Sequence, residues 1–309
     1  MPTTFAATRD SPAKVNLCLR VLGRRADGYH LLDSIFATID LCDRIDIHVS
    51  DLRPHRDTDV SIRCQFPDVP TDGTNLAARA AMILLNECGV GANVTIAIAK
   101  QIPPGAGLGG GSSNAATVLT CLNSILNLNV GKQRLHELAL QLGADVPFFL
   151  TGGCARVRGI GEHIEPIQGW PGLPLVLAIP PIAVSTAWAF RAYAAGFARG
   201  AEEASRLAAG IEPDASLLVN DLETVVLPAF PEVAAVKRGL LEAGASAAVM
   251  SGSGAAVVAL VPSPTAQQGV AETFRSRHGE VRVQGVRILP AGAPAPGAPA
   301  SVDRTPSYA

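Results

Sequence analysis

Seven residues, Gly105 to Gly111, hold five glycines and lie between two opposite periodicities. Upstream, Val94, Ile96 and Ile98 alternate with Thr95, Ala97 and Ala99, the period of a strand. Downstream, Ala115, Ala116, Val118, Leu119, Leu122, Ile125 and Leu126 recur at helical spacing, with Ser112, Ser113 and Asn114 as capping candidates. A strand, a glycine loop and a helix in that order build a cradle for an anion. The first helical N–H groups lack intrahelical partners, and glycines let a phosphate approach them without hindrance from Cβ atoms.

Two familiar phosphate loops fail in context. Gly105-x-Gly107-x-x-Gly110 matches the dinucleotide fingerprint, but that unit needs an acidic residue about 20 positions further on, and none occurs between Asn114 and Glu137. A P-loop needs Gly-Lys-Ser/Thr after its glycines, whereas this loop ends in Ser112-Ser113.

The full segment from Pro103 and Pro104 through Gly105, Ala106, Gly107, Leu108, Gly109, Gly110 and Gly111 to Ser112, Ser113 and Asn114 resembles the ATP loop of the GHMP kinases, which phosphorylate small-molecule alcohols. Ser11-Pro12-Ala13-Lys14-Val15-Asn16-Leu17 resembles the first motif of that family, and Met250-Ser251-Gly252-Ser253-Gly254-Ala255 the third. Three details are similar to one branch, acting on a cytidine diphosphate ester of methylerythritol in the non-mevalonate isoprenoid pathway: Arg24 to His30, the triple glycine, and Leu142 to Phe148. The resemblance runs from about Ser11 to about Leu289.

What it implies is specific. The fold is α+β, with an N-terminal domain like domain 2 of ribosomal protein S5, a ferredoxin-like C-terminal domain, and the site in the cleft between them. The boundary is expected near residue 165, giving units 1–165 and 166–290, and the Ala/Pro-rich stretch 291–309 is expected to be a flexible tail. The activity implied is ATP-dependent phosphorylation of the erythritol 2-hydroxyl, with Mg2+ accompanying ATP and no acidic cluster to identify its protein ligands.

Asp145, after a helical run from Leu135 to Leu142, reads locally as a turn or cap aspartate; the resemblance makes it the general base or the group that orients the hydroxyl. Lys14, locally a strand-edge lysine, becomes by the same resemblance the cation that offsets charge on the transferring group. Asn16 shares a sheet face with Lys14 and is expected to hydrogen-bond substrate. Tyr29 and Phe190 are implied to lie against cytosine and His30 to read its edge, with Thr186 nearby; Trp188 and Phe190 as core helix residues remain an alternative. Asn75, Leu76 and Lys100 match the family's adenine-side positions.

Composition limits the other options. The formal net charge is −2, which gives no electrostatic reason to expect nucleic acid or an anionic membrane as partner. The apolar runs are too short and too interrupted by proline to span a bilayer, and the N-terminus lacks a secretory pattern, so the cytoplasm is expected. The six cysteines stand 22 to 33 residues apart and are expected to be buried thiols rather than a zinc or disulfide set. Other GHMP activities, on mevalonate or homoserine, are opposed by the Gly28-Tyr29-His30 segment, and a non-catalytic nucleotide sensor by the presence of both Lys14 and Asp145.

Overall fold

A computed structural model describes residues 4–26, 28–54, 57–168, 172–196, 216 and 218–291. Asp27 and the tail beyond 291 therefore lie outside the described residues, and the expectation of a flexible tail with them. No described helix is long and apolar enough to cross a membrane.

The larger sheet is built on two long antiparallel strands, β1 (Phe5–Arg24) and β2 (His30–Pro54). The sequence pattern reads as two strands around residues 35–39 and 45–49; they are one. Both faces of the strand are covered from Asp33 to Ile39, so the alternation that would mark it as continuous is absent. Because β2 is long, it pairs along one stretch with β4 (Val90–Ala99) and along another with β5 (Cys154–Gly159). A strand β3 (Asp59–Cys64) lies outside β4, and β6 (His163–Ile167) outside β5. Three helices cover the β4 half: α1 (Leu76–Glu87), α2 (Gly110–Ile125) and α3 (Lys132–Leu142), with Leu84, Leu85, Leu119 and Leu122 fully buried against Ile45, Ile47 and Ile96. A six-residue helix, α4 (Val146–Thr151), follows.

The second sheet contains β7 (Pro174–Ile179), β9 (Ala247–Met250), β10 (Val257–Leu260) and β11 (Arg282–Arg287) in the order β11-β7-β10-β9. Every ladder is antiparallel, and helices α7 (Pro231–Glu242) and α8 (Pro264–Arg277) pack on it, the ferredoxin-like arrangement. Helix α5 (Thr186–Gly196) leads away from β7. The chain then re-enters the larger sheet: the two-residue strand β8 (Val219–Asn220) pairs in parallel with Cys18 and Leu19 before α6 (Glu223–Ala229).

The two sheets meet face to face. Val15, Leu17, Ile35 and Ile39 pack with Leu175, Leu177, Val258 and Ile288, and Ile102, Ala106 and Leu108 of the glycine-loop segment join them. Lys14 and Asn16, alternating with Val15 and Leu17, project from the opposite face of β1. Burial of this order removes solvent from the base of the cleft.

All six cysteines are free thiols; Cys18, Cys121 and Cys154 are buried, whereas Cys42, Cys64 and Cys88 are half-buried. Burial pushes Cys18, Cys42 and Cys154 up to about 12, leaving them protonated and unreactive at neutral pH.

Candidate active site

The helix after the glycine loop begins at Gly110, at least three residues earlier than a cap at Ser112, Ser113 or Asn114 would start it. Its N-cap is Gly109, in the left-handed region at φ 68°, and no side chain caps it. Ser113 and Asn114 point inward instead: the Ser113 and Ser11 hydroxyls meet at 2.7 Å, and the Asn114 amide donates to Ser11 Oγ and Asp43 Oδ2. The first intrahelical bond runs from Ser113 N–H to Gly109 C=O, so the amides of Gly110, Gly111 and Ser112 have no partner within the helix. They face a cleft of about 480 Å³. A positive helix terminus with free donors is the electrostatic form of an anion site.

The loop is held from beneath by Asp43, a residue the sequence gives no reason to single out. This fully buried carboxylate accepts from the backbone N–H groups of Gln101 and Ile102 and from Lys100 Nζ at 2.5 Å. Lys100, expected on the adenine side, lines the cleft, but its ammonium is committed to this ion pair. Above the loop lies the Ser251–Gly254 turn. A Cβ at Gly107 would stand 2.2 Å from Ser251 C=O, and Ser251 Oγ donates to Gly107 C=O at 3.1 Å. The far wall contains Asn75 and Leu76; Asn75 caps α1, its Oδ1 accepting from Ala77 N–H at 2.9 Å.

At the floor of the cleft Lys14 Nζ lies 3.6 Å from Asp145 Oδ2 and donates to Asn16 Oδ1 at 2.6 Å. Asp145 occupies the N-cap position of α4, yet its side chain makes no capping bond and is turned to the cleft, 35% exposed. Lys14 is 4% exposed and its ammonium lies 4.5 Å from the Phe36 ring centroid. Asn16, expected to bind substrate, lines the cleft; its Oδ1 accepts from Lys14 and its amide donates to Ser34 Oγ at 3.0 Å.

A second cavity, about 850 Å³, adjoins the first; Leu32, Asp145, Thr186 and Phe190 line both. His30, Tyr29 and helix α5 form its walls. The imidazole of His30 stacks on Phe190 at a centroid distance of 5.0 Å, and its buried Nε2 has no hydrogen-bond partner among the described residues. Burial first, and the nearby Arg24 charge second, hold His30 below its usual range, so it is neutral at pH 7 with one donor and one acceptor nitrogen. Tyr29 is 61% exposed at the rim. Phe190 also packs partly on the core beneath α5, while Trp188, edge-on to Phe230, belongs to that core. Thr186 Oγ1 meets Ser253 Oγ at 2.8 Å, joining α5 to the turn over the glycine loop.

Sequence reasoning also missed the corner after β8. The Asn220 amide donates to the carbonyls of Met250 and Gly252, both at 2.7 Å, and Glu223 accepts from Met250 N–H. Asp221 binds Arg20 and Val21 N–H. This corner fixes the Ser251–Gly254 turn relative to the strand that carries Lys14. A polar run as short as Asn-Asp-x-Glu has no periodicity to announce it.

A glycine cradle at a helix N-terminus, a lysine–carboxylate pair at its mouth and an adjoining acceptor-sized cavity define a small-molecule kinase, and comparison with known families agrees. Residues 75–153 match the GHMP kinases N terminal domain and residues 197–280 the GHMP kinases C terminal domain. The chain is 39% identical over 269 residues to the 4-diphosphocytidyl-2-C-methyl-D-erythritol kinase of Syntrophotalea carbinolica, covering 87% of this chain and 94% of that one. It is 42% identical to the enzyme of that name in Geobacter metallireducens, over 86% and 93% of the two chains. A crystal structure of 4-(cytidine 5'-diphospho)-2C-methyl-D-erythritol kinase superposes with a TM-score of 0.72 at 36% identity, covering 91% of this chain and 99% of that one. A homoserine kinase from Cytophaga hutchinsonii, at 18% identity and a TM-score of 0.68, shares the fold. The chain belongs to the GHMP kinases, and within them to the 4-diphosphocytidyl-2-C-methyl-D-erythritol kinase family.

Proposed function

We propose that the protein transfers the γ-phosphoryl group of ATP to the 2-hydroxyl of 4-diphosphocytidyl-2-C-methyl-D-erythritol, a step of the non-mevalonate pathway, acting in the cytoplasm on a small-molecule substrate without nucleic-acid partners. The observation that carries this reading is the Lys14–Asp145 pair, 3.6 Å apart where the two cavities join. A donor phosphate in the glycine cradle and an acceptor hydroxyl from the second cavity converge there. We assign residues 1–165 to the N-terminal unit and 166–290 to the C-terminal one, with the cleft between them.

In this reading the N–H groups of Gly110, Gly111 and Ser112 bind ATP phosphate oxygens, and the 103–113 segment supplies the surrounding loop. Asn75 and Leu76 border the adenine side, and Lys100 holds the loop through Asp43. The acceptor hydroxyl lies against Asp145, whose carboxylate accepts the proton as the O–P bond forms; a loose transition state lets orientation matter as much as proton removal. Lys14 offsets the charge that spreads over the transferring phosphoryl oxygens. Mg2+ accompanies ATP in this reading, and no protein ligand is assigned to it. Mg2+, when bound, would neutralise phosphate charge.

Incubation with ATP and each of the cytidine diphosphate ester, mevalonate and homoserine, followed by ADP release, tests the reading. ADP is expected with the first alone; release only with mevalonate or homoserine would refute it.

The base-reading residue has its own test. His30 lines the second cavity and has a buried nitrogen without a hydrogen-bond partner among the described residues, and a site that hydrogen-bonds a polar edge discriminates more sharply than an apolar pocket. His30→Ala is expected to raise KM for the cytidine substrate at least about tenfold, or roughly 1.4 kcal/mol, with KM for ATP little changed. Phe190→Ala should act in the same direction. An equal rise for both substrates in His30→Ala would return Tyr29 and His30 to a structural turn.

A further inference from the structure

The acceptor named above carries a diphosphate between its cytidine and its methylerythritol, and the groups assigned so far answer only its two ends. His30 and Phe190 line the second cavity at the base end, and Asp145, which lines both cavities and faces Lys14 in the first, stands at the hydroxyl end. A diphosphate diester bears two negative charges at neutral pH, and bringing them against a largely apolar wall without a counter-charge is costly.

Two guanidinium groups line this cavity, Arg24 and Arg191. Arg24 is the last residue of β1 and stands opposite His30 in the antiparallel register. Its Nε–H donates to Gly28 C=O, which leaves the terminal nitrogens at the rim. Arg191 follows Phe190 on α5, where Thr186, Ala187, Phe190, Arg191 and Ala194 present one helical stripe to the cavity. Some other arginines of the structure are committed to carboxylates, among them Arg20 to Asp221, Arg134 to Glu87, Arg156 to Asp33 and Arg158 to Glu165. Neither Arg24 nor Arg191 is ion-paired among the described residues. Among the described residues the one carboxylate in the lining is Asp145, already facing Lys14.

We propose that Arg24 and Arg191 form the subsite for the acceptor's diphosphate, one arginine from the strand that precedes the base reader and one from the helix that carries the stacking ring. Guanidinium suits the task, since its planar donors match phosphate oxygens and its charge does not titrate. Placed between base and hydroxyl, the subsite would select a nucleoside diphosphate ester over a nucleoside or a neutral alcohol. This inference rests on reading the acceptor as a cytidine diphosphate ester.

The test is calorimetric binding of cytidine and of CDP in EDTA, with ADP filling the donor site, to the wild type, Arg24→Gln, Arg191→Gln and the double variant. EDTA ensures that any preference for CDP comes from the protein and not from a bound cation. The wild type is expected to bind CDP at least about tenfold more tightly than cytidine. Each single variant should lose roughly fivefold in CDP affinity, the scale of an exposed charge-assisted contact, and the double variant about 25-fold. Cytidine affinity should not change, which also reports that the pocket is intact. If the double variant keeps its preference for CDP, or if the wild type binds cytidine but CDP no more tightly, the subsite is wrong while the acceptor reading stands. If neither cytidine nor CDP binds, the acceptor reading itself fails and this inference with it.

Discussion

Asp145→Asn and Lys14→Met are each expected to lower kcat by about 10²-fold or more while ATP affinity changes little, the loss that follows removal of an electrostatic contact made to the transition state. Asparagine keeps the shape of Asp145 but cannot take the hydroxyl proton. Methionine keeps most of the Lys14 stem while removing the charge that lies over the Phe36 ring. The two substitutions should not be additive, because Lys14 Nζ and Asp145 Oδ2 are 3.6 Å apart and serve the same transfer step. The double variant is therefore expected to be barely worse than the poorer single one. Asn16→Ala offers an internal comparison: it removes the acceptor 2.6 Å from Lys14 Nζ while leaving both Lys14 and Asp145 in place, so a smaller fall in kcat is expected. Single-turnover kinetics with saturating ATP measures all of these. Near-normal turnover in Asp145→Asn would make that residue a turn aspartate and nothing more.

The parts of this site that the sequence displays are those set by local backbone demands. Gly105, Gly107 and Gly109 all adopt positive φ, and such a cluster between a strand and a helix is visible without any tertiary information. Lys14 and Asn16 could be placed on one face because alternation along β1 fixes it. Asp43 could not be found that way, since it is one of five aspartates in β2 and acquires its importance from partners 57 to 71 positions away. The β8 corner is a similar case. Two residues suffice to pair with Cys18 and Leu19, too few to leave a period, and Asn220 reaches the Met250–Gly252 turn only after the intervening chain has folded. The start of α2 is hidden for a related reason: Ser112, Ser113 and Asn114 look like caps, but Ser11 and Asp43 compete for the side chains of Ser113 and Asn114 and win. That competition has a functional effect, because a helix capped by its own side chains would have fewer donors left for phosphate.

The uncapped terminus leads to the second large effect. Gly111→Val should weaken ATP binding by at least about tenfold in a protein that still folds, since the added branches intrude where the first-turn amides meet phosphate. The position is well chosen for this purpose. A Cβ at Gly111 meets nothing closer than Leu76 Cδ1 at 3.7 Å, an ordinary contact, and Gly111 has no positive φ to strain. Its neighbours are poorer probes. A Cβ at Gly110 would stand 3.0 Å from both Ile102 Cγ2 and Lys100 Nζ, so Gly110→Val disturbs the buried Asp43–Lys100 support as well as the cradle. A Cβ at Gly107 would meet Ser251 C=O at 2.2 Å and force the glycine loop away from the turn above it. The expected order is thus a selective loss of ATP affinity in Gly111→Val, and a mixed loss of affinity and thermal stability in Gly110→Val and Gly107→Ala. Calorimetric titration with ATP, alongside thermal melts, separates the two. A folded Gly111→Val protein with wild-type ATP affinity would show that phosphate does not sit at the start of α2, and the assignment of the donor site would have to move.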